Sequence, residues 1–312
     1  MIQKNPKRTM TINLRFVARA TAISLVMIGL LTPFLAGIGF TVSLTAPFCG
    51  GAGDPSAYGL VYDDLHIAAP SINSELATYW IAAAGAAKGT IIGVPTGAAG
   101  RGDRLHELRV FVDAGYNVIA YESRTCAART VNSLGGLEVD QVGDVLAYLE
   151  RRRDIDMERI GIHGFSAGGG TAIMAGARYG RIRAVVAQGG YHDLWDEITV
   201  NTRGLDRVPL LGDVFRLGAR IGYRAATGSD ITILDPVRAI TEYGQRPVLL
   251  VYGTNEPGMR GAVIMRDAAV QAGNPNVELW QVQGAGHGNY IEVAGDAYRI
   301  RVVAFWDAAM GE

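Results

Sequence analysis

A chain of 312 residues with 49% hydrophobic and 19% charged side chains is too apolar for a disordered protein and long enough to bury a sizeable core. A formal net charge of −1 leaves no electrostatic footprint for nucleic acid, and no nucleic-acid partner is expected. Two cysteines, Cys49 and Cys126, are too few for a disulfide framework.

From Ala20 to Cys49 no side chain is charged. That run exceeds the roughly 20 residues needed to cross a bilayer and the roughly 7–15 of a signal-peptide core. Pro33, Gly37 and Gly39 within it are tolerated better in a membrane helix than in a soluble one. Residues 20–48 are therefore expected to form a transmembrane anchor. Lys4, Lys7, Arg8, Arg15 and Arg19 precede the run with no acidic residue among them, and the next basic residue is Lys88. The positive-inside rule then puts residues 1–19 in the cytoplasm and everything beyond about residue 50 outside it, in a single-pass cell-membrane protein. Small residues around Gly50 and Ala52 leave a cleaved leader as the alternative.

Residues 49–58, "CGGAGDPSAY", read as a tether of about ten residues reaching at most roughly 35 Å. In an oxidising compartment Cys49 and Cys126 can pair, but the sequence alone does not place them within bonding distance, and both are read as structural. Residues 59–312 form one domain. "LVYDDLHIA" and "ELATYWIAA" have strand character, and a short link between them predicts an antiparallel edge. Apolar strands then alternate with helical stretches: "GTIIGVP", "RLHELRVFVDAG", "YNVIAYE", "EVDQVGDVLAYLERRRD", "RIGIHGF", "AGGGTAIMAGARYG" and "RAVVAQGG". After a long irregular stretch the alternation resumes with "RPVLLVYG", "GAVIMRDAAVQAG", "VELWQVQG" and "YRIRVVAFWDAAM". Strands that read as continuous apolar runs between helices predict an α/β fold with a mostly parallel central sheet covered on both faces. The irregular stretch, residues 192–236, is expected to form a small lid.

"GFSAGG" places Ser166 between a predicted strand and a predicted helix and fits the G-x-S-x-G nucleophile elbow. Gly164 and Gly168 are the tiny residues that such a corner needs, because the strand and helix backbones nearly touch there. A serine hydroxyl is a weak nucleophile without a base, and the base needs an acid to orient it. "QVQGAGHGNY" supplies His287 after the last strand, and "VLLVYGTNEPG" supplies Glu256 after the preceding one. The order Ser, acid, His is the one expected of this architecture. An oxyanion would rest on the Ala167 N–H and on the loop Thr96, Gly97 and Ala98 that follows "GTIIGVP".

Other residues have plainer readings. His163 lies in the strand before the elbow and reads as a core histidine, His106 as a helix-surface or packing residue, and His66 as remote in an early strand. His192 opens the lid and is a weaker candidate base. Asp193 is the alternative acid, and "YHDLWDE" has the residue types of a metal cluster but reads as loop decoration. No cofactor or metal is called for.

With these pieces in place the chain resembles the α/β-hydrolase superfamily over nearly all of residues 58–312, and is most similar to its membrane-anchored esterase and serine-peptidase-like branch. The elbow "GFSAGG", the turn "YGTNE", the loop "GAGHGN" and "YESRTCA", in the position of the family's D-x-R-G-x-G-x-S turn, carry the likeness. Glu256 stands where the family usually has Asp, and Thr96-Gly97 where it usually has His-Gly. The resemblance implies a serine hydrolase that cleaves carboxylic esters of a small acyl substrate through an acyl-enzyme on Ser166. Peptide, amide or thioester hydrolysis on the same triad is the alternative, and a non-catalytic binding protein that keeps the fold is the other.

Overall fold

The computed structural model describes residues 14–50, 53–97 and 99–311. Helix α1 (Leu14–Leu44) contains Pro33. Within it Arg15–Leu44 has the length and composition to cross a membrane, with mean hydropathy 2.1.

Eight strands follow: β1 (Asp63–Ala69), β2 (Ser74–Ile81), β3 (Thr90–Val94), β4 (Asn117–Tyr121), β5 (Ile160–Phe165), β6 (Ile182–Gln188), β7 (Val248–Gly253) and β8 (Val277–Val282). They form one sheet in the order β1-β2-β4-β3-β5-β6-β7-β8. β1 pairs antiparallel with β2, and β2 antiparallel with β4; the other pairings are parallel. The antiparallel edge and the parallel body are those the sequence predicts.

Every residue of β3, β4, β5 and β7 is buried, which is why these strands read as unbroken apolar runs. Ile173 of α5 (Ala167–Arg178), Val142 of α4 (Glu138–Glu150) and Met265 of α8 (Met259–Gln271) belong to the core on one face. Phe111 of α2 (Leu105–Asp113) and Trp306 of α9 (Asp296–Met310) belong to the core on the other. From β3 the chain crosses to β4 on one side, then to β5 on the other. That reversal opens a crevice beyond the C-terminal ends of β3 and β5, where open parallel sheets bind ligands.

The stretch expected to form a lid, residues 192–236, contains α6 (Leu194–Asn201), a 3₁₀ turn at Arg203–Arg207, α7 (Leu211–Thr227) and a second turn at Ile231–Ile233. α7 lies against the C-terminal third of α1 rather than over the sheet. A Cβ on Gly218 would strike the Phe34 carbonyl, and one on Gly37 the Phe215 carbonyl, so the two backbones touch. The Thr41 hydroxyl donates across this seam to the Ala219 carbonyl at 2.9 Å.

The spacer reading of residues 49–58 is corrected. Cys49 forms a disulfide with Cys126, the middle residue of the short helix α3 (Arg124–Ala128). The Gly50 carbonyl accepts from Gly100 N–H, and Gly50 bridges to Ala99. Gly53 packs on Gly102, and Asp54 caps the 3₁₀ turn Pro55–Tyr58 through Ser56 N–H at 2.8 Å. Just before this segment, Asn132 N–H donates to the Thr45 carbonyl at 3.1 Å. Held at so many points, the segment fastens α1 to the domain, and the extended-chain reach does not apply.

Candidate active site

Ser166 stands at the corner between β5 and α5 with φ 55° and ψ −124°, a combination that L-residues rarely adopt. The corner is locked on both sides. Ser166 N–H donates to the Gln188 carbonyl of β6 at 2.8 Å, and the Ser166 carbonyl accepts from Gly169 N–H at 2.9 Å. A Cβ on Gly164 would lie 2.1 Å from the Gly168 carbonyl, and one on Gly168 would lie 2.8 Å from the Pro95 carbonyl. Those two contacts are the physical content of the glycines in the motif, and any larger residue would push strand, helix and β3 loop apart.

His287 and Glu256 follow β8 and β7. His287 Nε2 is 3.1 Å from Ser166 Oγ, and its Nδ1 is 3.0 Å from Glu256 Oε2. The Glu256 side chain is fully buried, and both of its oxygens are hydrogen-bonded. Oε1 accepts from Gly253 N–H at 2.8 Å, and Oε2 also accepts from the Tyr290 hydroxyl at 2.7 Å. The two loops are tied to each other: Asn255 N–H donates to the Ala285 carbonyl at 2.9 Å and its side-chain amide to the Gly284 carbonyl at 3.1 Å. The longer Glu side chain therefore reaches the imidazole from a turn that folds it back on its own strand.

The imidazole rests on Phe165, ring centroids 4.7 Å apart, and the Arg104 guanidinium covers that ring at 4.3 Å. Arg104 also donates to the Gly288 carbonyl at 3.1 Å and pairs with Glu107. Glu107 is fully buried, and its second oxygen lies 3.3 Å from His163 Nε2. Burial pushes the Glu107 carboxyl up, but His163 and Arg104 outweigh it and hold the pKa at about 2. An ion-paired layer under the site thus grips the loop that carries His287.

Among the oxyanion candidates, the start of α5 leaves Ala167 N–H without a helical partner. Gly97 has φ 46°, and a Cβ built on it would sit 3.8 Å from the Ala167 Cβ, so its backbone lies beside the elbow. Thr96 is corrected: its N–H donates to the Asp103 carboxylate at 2.9 Å, which takes it out of the set of donors. Ala98 lies outside the described residues.

The competing residues have other occupations. Asp193 caps α6 through Asp196 N–H at 2.9 Å. His192 is buried between Glu197 at 3.1 Å and Asp196 at 3.0 Å, and Arg260 reaches the same Asp196 oxygen at 3.0 Å. Tyr290, Arg104 and Phe165 are residues that sequence reasoning passed over. Tyr290 alone left a signal, three residues past His287, where it opens the short helix Tyr290–Ala294.

Ser166 and His287 open onto a cavity of about 470 Å³. Its wall is largely apolar: Leu44, Leu134, Tyr191, Leu194 and Pro257, with the Glu197 carboxylate as the charged member. Leu44 is the last residue of α1.

A strained serine at a strand-helix corner, a histidine and a buried carboxylate in the order of this sheet define an α/β-hydrolase, and the family model for the prolyl oligopeptidase family matches residues 104–312. The chain belongs to the prolyl oligopeptidase family. As a member of that family it is a hydrolase of the serine type. Human dipeptidyl peptidase 8 is 31% identical over 103 residues, covering 30% of this chain and 12% of the human protein, so the chain spans a small part of that relative's length. Among solved structures, an esterase of Pyrococcus furiosus superposes with a TM-score of 0.66 at 21% identity, over 85% of this chain and 100% of the esterase. A puromycin-hydrolyzing peptidase of Mycobacterium tuberculosis gives 0.61 at 20% identity, over 82% of this chain and 40% of the peptidase. At these identities the two structures share the fold.

Proposed function

We propose that the protein is a membrane-anchored, extracytoplasmic serine hydrolase that cleaves carboxylic esters through an acyl-enzyme on Ser166. One observation carries the reading: an unbroken hydrogen-bonded chain from Ser166 through His287 to Glu256, at the mouth of an apolar cavity.

In this mechanism Ser166 Oγ attacks the ester carbonyl carbon while His287 Nε2 takes the hydroxyl proton. Glu256, held by Gly253 N–H and Tyr290, keeps Nδ1–H pointed inward and stabilises the imidazolium. The developing oxyanion is received by the N–H groups of Ala167 and Gly97 at the positive end of α5. His287 then returns the proton to the leaving alkoxide, and a water activated the same way releases the acid. The leucine-rich wall suits an acyl chain, and buried area there favours longer chains by about 0.8 kcal/mol per methylene until the cavity is full.

The disulfide supports the extracytoplasmic reading, since such bonds persist in oxidising compartments. The basic residues ahead of α1 support the same orientation.

Amide or peptide hydrolysis is the second reading. The family itself and the segment similar to human dipeptidyl peptidase 8 favour it. Side-by-side kcat/KM on p-nitrophenyl acyl esters and on aminoacyl p-nitroanilides decides between them. Faster ester turnover by a hundredfold or more is expected; equal or faster amide turnover overturns the ester reading.

A further inference from the structure

Among the described residues, the lid carries an apolar surface that the catalytic reading does not use. Val208 is 53% exposed, Leu210 62%, Leu217 53% and Ile221 44%. Leu217 and Ile221 lie one turn apart on α7, with exposed Asp213, Arg220 and Arg224 on the same side, and Val208-Pro209-Leu210 forms the tip before the helix.

The seam with α1 says what covers it. Phe34 meets Gly218, and both Ile38 and Thr41 meet Gly222, so the two helices run side by side in the same direction. Pro33, Gly37 and Thr41 are buried at four-residue intervals on α1, Thr45 continues the series just past its end, and Gly218-x-x-x-Gly222 faces them on α7. Such small-residue seams let helices approach closely within a bilayer.

The length of α1 makes the consequence hard to avoid. The hydrocarbon core takes roughly 20 residues, at about 1.5 Å each. With Arg19 reaching back to the headgroups and the count starting at Phe16, the span ends at Leu35. In that register Phe34 lies at the outer edge of the hydrocarbon, and Gly218 is in contact with Phe34. α7 runs from Gly218 back toward Leu211 in the direction of the N-terminus of α1, so the tip lies deeper than Phe34 by roughly 10 Å.

We propose that α7 and the Val208–Leu210 tip are embedded in the outer leaflet beside α1, so that the lid is a second membrane-inserted element and its occupant is the lipid of the protein's own membrane. The charges near the tip are arranged for this. Arg216 Nη2 sits 2.9 Å from Asp206 and 2.7 Å from Asp213, which pairs both carboxylates beside the tip. The cavity wall residue Leu44 is then nine residues beyond Leu35, roughly 14 Å above the lipid boundary.

This inference rests on α1 spanning the membrane, and the test separates the two. Both native cysteines are in the disulfide, so single added cysteines can be spin-labelled in the full chain. Leu25→Cys reports on α1, Leu210→Cys and Leu217→Cys on the lid, and Glu158→Cys on the loop just before β5, at the N-terminal end of the parallel strands. In vesicles of phosphatidylcholine and phosphatidylglycerol, labels at 25, 210 and 217 should collide with oxygen more often than with a water-soluble nickel chelate, and the label at 158 the reverse. If 25 reads lipid while 210 and 217 read water, the lid inference falls alone. If 25 also reads water, it falls together with the membrane reading.

Discussion

The Tyr290 hydroxyl donates to Glu256 Oε2 at 2.7 Å, the same oxygen that holds His287 Nδ1 at 3.0 Å. Burial first, and the adjacent Glu256 carboxylate second, push the phenol well above its ordinary pKa, so it remains a donor throughout the working range. The Gly253 N–H bond still fixes the other oxygen when Tyr290 is truncated. Tyr290→Phe is therefore expected to lower kcat by about tenfold, the worth of one hydrogen bond, with KM little changed. Glu256→Gln should cost on the order of 10³–10⁴ in kcat, because an amide presents the wrong group to Nδ1–H. Steady-state kinetics on a short acyl ester checks the ordering; equal losses would mean that Tyr290 does more than support the acid.

Asp193→Asn distinguishes the two candidate acids. Its side chain caps α6, a role that Asn fulfils nearly as well. Turnover should stay within twofold of the unsubstituted protein. A loss comparable to that of Glu256→Gln would move the acid to the loop after β6.

Acid stability follows from Glu107. Its pKa in the folded chain, about 2, lies below its ordinary value of 4.5. The unfolded chain therefore binds more protons between those values, and folding is favoured as pH rises through the window. The contribution is present above about pH 4.5 and is lost as pH falls toward 2. Glu107→Gln should be less stable than the unsubstituted protein at neutral pH, and its melting temperature should fall less steeply with acid in this window. Parallel slopes for the two proteins would contradict the assignment.

The architecture was legible because its signals are local. Buried parallel strands are continuous apolar runs, and the elbow needs glycines at fixed offsets from Ser166. The positions of Ser166, Glu256 and His287 follow from strand ends and chain order alone. What escaped is what depends on distant pairs. Nothing around Thr96 says that Asp103 will claim its amide, and nothing around Arg104 says that it will grip the His287 loop from 184 residues away. The docking of α7 on α1 was hidden for another reason: glycines read as helix weakeners in one dimension, and become contacts only when a second helix faces them.

The Cys49–Cys126 bond spans 77 residues and fastens the end of α1 to α3. Closing a loop of that length stabilises a fold by about 4 kcal/mol in the chain-entropy account. Cys49→Ser with Cys126→Ser should lower the melting temperature by several degrees in detergent while leaving labelling of Ser166 detectable. Unchanged melting would mean that the hydrogen bonds of Asn132 and Gly100 hold the segment without the disulfide.

The central claim is that Ser166 is the nucleophile, and one measurement meets it directly. The purified full chain is treated with a fluorophosphonate, and the modified peptide is identified by mass spectrometry. The expected result is a single adduct on Ser166, absent from Ser166→Ala and strongly slowed in His287→Ala, with both variants retaining the melting behaviour of the unsubstituted protein. An adduct that persists in folded Ser166→Ala, or no adduct on the unsubstituted protein while it hydrolyses an ester, would contradict it.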